Sequence, residues 1–240
     1  MLEFYDFIIY GIFSVYFAHQ FFPSENSLLS VTKSYVIFIL GYIARPVGGV
    51  IFSHLGDEYG RKQVLIIIIL LMGGSSLGIG ILPAYDQIGI LAPIKLLVLR
   101  LLQGLALGGE LPSTYVYISE SMPKKRGSGF GITMVGVNSG LLLGMAMNQL
   151  LNFALTPTEL SAYGWRLPFI FGGLLCLISY RIRKTLRETA AFNKIHDKPL
   201  FPFFYLWVHH LTQVHCRYRH HCDYVWFGGC GDCVYVNLFA

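Results

Sequence analysis

Charged side chains in this sequence come in short clusters, and the intervals between them are long and apolar. From Leu28 to Gly56 the only basic groups are Lys33, Arg45 and His54, and from Val64 to Leu82 there is no charge at all. Such intervals match the roughly 20 residues that a helix needs to cross the hydrocarbon core of a bilayer. A helix of a soluble core would show polar positions at a 3.6-residue period, and these segments lack them. Composition agrees: 54% of the 240 residues are hydrophobic and 13% are charged, against about 25% charged in a soluble domain. The pattern predicts an all-α integral membrane protein. The amino terminus carries Glu3 and Asp6 ahead of any lysine or arginine and does not read as the basic n-region of a cleavable signal. The net charge of +5 sits beside apolar segments and not on a soluble face, which argues against a nucleic-acid partner.

Six spans are expected, at residues 2–22, 33–55, 63–82, 95–119, 128–152 and 166–183. Pro23, the run from Gly56 to Gly60, Pro83 with Pro93, Pro123 and Pro157 supply the breaks between them. Arg61 and Lys62 follow the second span, and Lys124, Lys125 and Arg126 follow the fourth. The sixth runs out into Arg181, Arg183, Lys184, Arg187, Lys194 and Lys198. The alternate loops hold little beyond Lys33, Lys95 and Arg166 at helix mouths. By the excess of basic residues on the cytoplasmic side, both ends of the block face the cytoplasm of a multi-pass inner-membrane protein. Residues 1–195 therefore read as a six-helix transmembrane bundle and 196–204 as a cytoplasmic linker. Residues 205–240 read as an irregular tail, holding Cys216, Cys222, Cys230 and Cys233 with five of the eight histidines.

Two strings of residues carry the chemistry. The first is Gly56-Asp57-Glu58-Tyr59-Gly60-Arg61-Lys62, after Arg45-Pro46-Val47-Gly48-Gly49. Its two glycines suit a tight turn between antiparallel helices. Asp57 is placed to cap a helix start, and Arg61 to bond carbonyls or a carboxylate of a neighbouring helix. The second is Arg100-Leu101-Leu102-Gln103-Gly104, followed by Gly108-Gly109-Glu110. A charge within a membrane helix costs about 2.5–3.5 kcal/mol on insertion scales, so Arg100 and Glu110 need partners or a cavity. Ten residues put them about 15 Å apart along one helix, too far to pair with each other. Arg100 either faces a cavity or snorkels to the outer interface. In the first span Glu3, Asp6 and Tyr10 share a helix face, where the acids either take protons from a cavity or end the helix at the lipid interface.

The first string resembles the signature loop between helices two and three of the major facilitator superfamily, G-x-x-x-D-x-x-G-R-[RK], although its leading glycine has no exact match here. The second is similar to that superfamily's R-x-x-Q-G motif. Glu3-Phe4-Tyr5-Asp6-Phe7, Glu120-x-x-Pro123 with Arg126-Gly127, Gly164-Trp165-Arg166-x-Pro168-Phe169, and Arg187-Glu188-Thr189 with Phe192 narrow the resemblance to the metabolite:proton symporter family. The resemblance covers about residues 1–204. It implies the N-terminal six-helix half of a carrier for a small charged organic solute: an organic acid, an amino acid or a betaine. It implies proton coupling at Glu110 with Asp6 or Glu3, and solute recognition by Arg100, Arg45, Tyr5 and Gln103. Asp57, Arg61, Gly56 and Gly60 would form a conformational latch. The implied partners are the solute, a proton, the bilayer and a missing second half of six helices. The resemblance also implies several residues before the first motif, so that Met1 reads as an internal start or a clipped terminus.

The fifth span lacks the Gly-Pro pair of superfamily antiporters, which favours symport. Its Gly136, Gly140 and Gly144 form a stripe suited to close helix contact, and Asn138, Asn148 and Gln149 either line a polar path or bond across helices. No P-loop, dinucleotide fingerprint or H-E-x-x-H is present, so neither enzyme chemistry nor a cofactor is expected. In the tail only the last cysteine pair has ligand-like spacing, and no metal is expected. The abrupt change after Phe204, where the resemblance calls for a seventh helix, reads as a shifted reading frame and a truncated carrier. A non-transporting membrane remnant and a membrane-anchored metal-binding tail are the competing readings.

Overall fold

The computed structural model describes residues 2–24, 26–186, 188 and 189, all within the unit Met1–Lys198. The linker, the Cys/His-rich tail and the Glu3 side chain lie outside the described residues.

Six helices of 19 residues or more account for most of the described chain: α1 (Leu2–Phe21), α2 (Ser27–Tyr59), α3 (Arg61–Ile81), α5 (Leu91–Ser121), α6 (Arg126–Ala154) and α8 (Arg166–Lys184). A short α4 (Tyr85–Ile88) joins α3 to α5, and a three-residue α7 (Pro157–Glu159) leads through a π-helical turn (Leu160–Gly164) into α8. Four of these helices are individually long and apolar enough to cross a membrane, namely α2, α3, α5 and α6. A fifth span is formed if Pro157–Gly164 and α8 count together across their 47° bend. Six long helices are present among the described residues, but the six expected spans are not established, since four or five pass by length and composition. Glu3, Asp6, His19 and Gln20 dilute α1, and Arg181, Arg183 and Lys184 dilute α8.

Three expected breaks move. The second helix begins at Ser27, six residues before Lys33, because the Asn26 side chain accepts from the Leu28 N–H at 3.0 Å and caps it. The fourth long helix begins at Leu91 and includes Pro93, which falls in its first turn, where a missing N–H leaves no bond unmade. The second helix does not end at Gly56 but runs to Tyr59. Of the two glycines in this string, Gly60, at φ 108°, has the positive φ at which the chain reverses. Asp57 lies in the last turn of α2 and does not cap α3.

In lipid, apolar packing gains little from excluding solvent, so helices meet where backbones can come close or polar groups can pair. The closest meeting is between α2 and α5. A methyl group added at Gly104 would overlap the Gly41 carbonyl, at Gly108 the Arg45 carbonyl, and at Gly48 the Leu105 carbonyl. Gly104 and Gly108 stand four apart on one face of α5, the small-xxx-small spacing of close crossings. Within the expected stripe of α6, Gly144 abuts Ile8 of α1 while Gly136 faces open space. Asn138 bonds back to Met134 of its own helix, and Asn152 receives the Tyr16 hydroxyl at 3.3 Å. Elsewhere α1 contributes Tyr10, Phe13, Phe17 and Phe21 to an aromatic cluster with Trp165 and Phe169 of the last long helix and its entry.

Gly104→Val should force α2 and α5 apart and destabilise the fold by about 1–3 kcal/mol, the range for overpacking. Gly136→Ala, whose added Cβ meets nothing within 4 Å, is the control and should leave the unfolding transition of the purified protein in detergent in place.

Candidate functional site

Between α1, α2, α3 and α5 lies a buried polar cluster inside an apolar bundle. Arg100, one of its members, is 6% exposed. Its guanidinium lies 3.5 Å from the centroid of the Tyr10 ring, so the cation rests on the negative face of an aromatic π-system. Its Nη1 donates to Gln103 Oε1 at 2.6 Å, one turn further along the same helix. Gln103 Nε2 in turn donates to Ser76 Oγ at 2.8 Å, and the Ser76 hydroxyl donates to Asp6 Oδ2. The Tyr10 hydroxyl reaches the Ser34 carbonyl at 3.1 Å, tying α1 to α2. One continuous chain of contacts therefore links Asp6 of α1, Ser76 of α3, and Gln103 and Arg100 of α5. The alternative of an arginine snorkelling to the interface is not what the structure shows.

The cluster borders a small cavity, open to the outside, lined by Asp6, Phe7, Phe38, Tyr42, Arg45 and Arg100 among others. Arg45 stacks over the Tyr42 ring at 4.0 Å. Asp6 Oδ1 and Arg100 Nε and Nη2 are buried without a hydrogen-bond partner among the described residues. Leaving a buried polar group unsatisfied costs about 1–3 kcal/mol, so three such atoms beside one cavity call for a ligand or a proton. Tyr5 is also buried, but its hydroxyl donates to the Pro168 carbonyl at 3.0 Å.

A second charged centre sits further along α5. Arg183 of α8 donates through Nη2 to Glu110 Oε1 and through Nη1 to the Leu65 carbonyl of α3 at 2.8 Å. The pair joins three helices, and Glu110 Oε2 has no partner among the described residues. Glu110 and Arg100, as their spacing requires, do not meet.

The third polar assembly caps one end of the bundle. Arg61 pairs with Asp57 at 2.5 Å and with Glu120 of α5 at 3.4 Å. Gly56 lets Arg61 in, because a methyl group there would stand 3.2 Å from Arg61 Nη1. Glu188, beyond α8, accepts from the backbone N–H of Arg61 at 3.0 Å and of Lys62 at 3.2 Å, so a carboxylate occupies the positive start of α3. The Thr189 hydroxyl donates to Glu120 Oε2 at 2.6 Å. At the opposite end Trp165 Nε1 donates to Gln20 Oε1 at 3.2 Å, and Arg166 donates to the Leu82 carbonyl at 3.2 Å.

Asp6, Arg100, Gln103 and Arg45 thus converge, Tyr5 lies beside them, and Asp57, Arg61, Gly56 and Gly60 form a separate group. Glu110 belongs to neither. Sequence reasoning missed Ser76, Arg183, Glu120 as a partner of Arg61, and Glu188 as a cap. Ser76 left a usable signal, since a hydroxyl in an otherwise apolar span faces protein more often than lipid. Arg183 was counted only as an orienting charge. Among the described residues no group of three or more His, Cys, Asp or Glu is placed to hold a metal, and the four tail cysteines lie outside them.

The sequence profile of the Major Facilitator Superfamily matches residues 1–229. A Staphylococcus aureus (strain COL) protein named for proline/betaine transport is 39% identical over 201 residues, covering 82% of this chain and 43% of the relative. The shikimate transporter of Escherichia coli (strain K12) is 36% identical over 196 residues, covering 81% of this chain and 45% of the relative. The chain therefore spans less than half the length of these relatives. Among solved structures, the E. coli xylose transporter XylE in its inward-open conformation superposes with a TM-score of 0.64 at 17% identity. That match covers 95% of this chain and 56% of the transporter.

Removing one member of a buried ion pair strands the other. Arg183→Gln should destabilise the protein by about 3–5 kcal/mol, and adding Glu110→Gln should recover most of the loss. Denaturant unfolding of the two variants in detergent checks this; equal stability of both would show that the pair does not hold α5 to α8.

Proposed function

The chain belongs to the major facilitator superfamily, whose fold it supplies as the N-terminal half, and from that premise we propose that it works in proton-coupled symport of a small charged organic solute. The solute is an organic acid, an amino acid or a betaine, moved across the inner membrane with the amino terminus inside. The observation that carries this reading is the cavity itself. It brings together Asp6, a carboxylate with one oxygen lacking a partner among the described residues, and two guanidinium groups, Arg45 and Arg100. The relatives named above support the solute class, because proline, betaine and shikimate are all small carboxylate-bearing solutes.

In this reading Asp6 is the proton carrier. A proton on Asp6 removes a charge from the membrane interior and alters what Ser76 does. Facing a carboxylate, the Ser76 hydroxyl donates to it; facing a protonated acid, it accepts and turns its own proton to the Met72 carbonyl, 3.1 Å away. The contact between Asp6 Oδ2 and Ser76 is then made in both protonation states. A ligand or proton that binds the two conformations unequally shifts the balance between them. Glu110 is the second candidate, with one oxygen held by Arg183 and the other without a partner among the described residues. Glu3, the third, keeps its role only as a proposal from sequence. Tyr5 and Gln103 shape the cavity from behind, since their polar atoms are engaged within the protein.

The end assembly of Asp57, Arg61, Glu120, Glu188 and Thr189 serves as a latch on the cytoplasmic side. Its bonds tie the ends of α2, α3 and α5 to the segment after α8. Alternating access in carriers of this kind involves two halves rocking about a midplane site, so the six-helix second half is the missing partner.

The test is uptake of labelled proline, glycine betaine and shikimate by proteoliposomes under an imposed inward proton gradient. They would contain the chain alone or together with the second half of a relative. Uptake should follow the gradient and collapse with a protonophore, and Asp6→Asn should abolish its dependence on the gradient. No uptake of any of the three in either preparation would sink the reading and favour a non-transporting remnant.

A further inference from the structure

Asp6 presents its two carboxylate oxygens to different helices. Oδ2 accepts the Ser76 hydroxyl of α3. Oδ1 lies against α8 at Gly172, where an added methyl group would stand 2.8 Å from it and 3.0 Å from the edge of the Tyr5 ring. One turn earlier on α8 the Pro168 carbonyl accepts the Tyr5 hydroxyl at 3.0 Å, so Tyr5 and Asp6 dock side by side on one face of that helix. Asp6 is 3% exposed, and Oδ1 is buried without a hydrogen-bond partner among the described residues. Gly172 cannot supply one, because it has no side chain and its N–H belongs to the backbone ladder of α8. The titratable groups around Asp6 are Tyr5 beside it on α1, Arg45 of α2 at the cavity, Arg100 and Glu110 of α5, and Cys176 of α8. The only charged residues of α3 are Arg61 and Lys62 at its start, and the only one of α6 is Arg126. Arg100 attracts the carboxylate, but none of these groups donates to Oδ1.

We propose that Gly172 is a positioning residue for proton coupling: its bare backbone is a seat that holds α1 against α8 while Asp6 is neutral, and the seat loosens when the proton leaves. This rests on the reading of Asp6 as the proton carrier and says which contact the proton controls. With a proton on Oδ2, Oδ1 is a neutral carbonyl oxygen, and pressing it against a glycine Cα costs little. Without that proton Oδ1 shares a negative charge, and a buried charged oxygen with no donor is far more costly. Ser76 cannot relieve it, since its hydroxyl is already on Oδ2. The ionised side chain gains by moving to where a donor is, and α1 moves with it. Any larger residue at position 172 would hold Asp6 off α8 whether or not it carried a proton.

The experiment is hydrogen–deuterium exchange of the 240-residue chain in lipid nanodiscs, read by mass spectrometry on peptides covering α1 and residues 168–176. It compares mildly acidic with mildly alkaline buffer, after correction for the intrinsic pH dependence of amide exchange. In the unmutated chain these peptides should exchange about tenfold faster in alkaline buffer. Asp6→Asn, neutral in both buffers, should show no such difference. Gly172→Ala should exchange fast in both. Exchange independent of pH in the unmutated chain would overturn the proposal, and so would a pH response that persists in Asp6→Asn; neither result needs Gly172→Ala to fold. Gly172→Ala with the protection and pH response of the unmutated chain would overturn it as well. A pH response carried by Asp6 without solute uptake would remove the transport reading and leave the seat standing, whereas gradient-driven uptake with pH-independent exchange would do the reverse.

Discussion

Inside a bilayer there is no water to satisfy a polar group, so every buried charge must be met by the protein or left with a cost of several kcal/mol. That constraint organises this bundle more than apolar contact does, because lipid tails are as apolar as leucine and reward helix association little. The buried charges are each met from another helix or from an aromatic face. Asp6 on α1 is met by Ser76 on α3, Arg100 on α5 by the Tyr10 ring on α1, and Glu110 on α5 by Arg183 on α8. These contacts tie together four helices that their apolar surfaces alone would leave free to slide.

Much of the architecture was legible in the sequence because membrane helices announce themselves by length and by the clustering of charge. The family resemblance, carried by Gly60-Arg61-Lys62, Arg100 to Gly104 and the Trp165-Arg166 entry to the last helix, agrees with the superfamily match. What failed to show was local. Ser27, Ser30 and Thr32 look like a polar loop, yet Ser30 bonds back to the Phe22 carbonyl at 2.5 Å and Thr32 to the Leu28 carbonyl at 2.8 Å, so both hydroxyls are satisfied within a helix start. Pro93 looks like a break and is tolerated where no bond is lost. Partnerships at long separation in the chain, such as Glu188 on the start of α3, cannot be read from a one-dimensional pattern at all.

The site shows the same division. Position along the helix and residue type were enough to single out Asp6, Arg100 and Glu110, because ionisable groups in apolar spans are few. They were not enough to say which belong together. Glu110 and Asp6 are both buried acids, but one is clamped by an arginine and the other only hydrogen-bonded by a serine. The first is held between α5 and α8, and the second borders the cavity.

The glycine contact between α2 and α5 has a mechanical consequence. With Gly104 and Gly108 seated against the carbonyls of Gly41 and Arg45, the two backbones touch and leave no slack for sliding. Arg45 and Arg100 ride on this fused pair, whereas Asp6 rides on α1 and reaches α5 only through side chains. In the proposed transport cycle the two guanidinium groups would keep their separation like the jaws of a locked caliper, and the carboxylate would be the part that travels. The length of solute that fits would then be set by backbone geometry, and the affinity by where α1 happens to be.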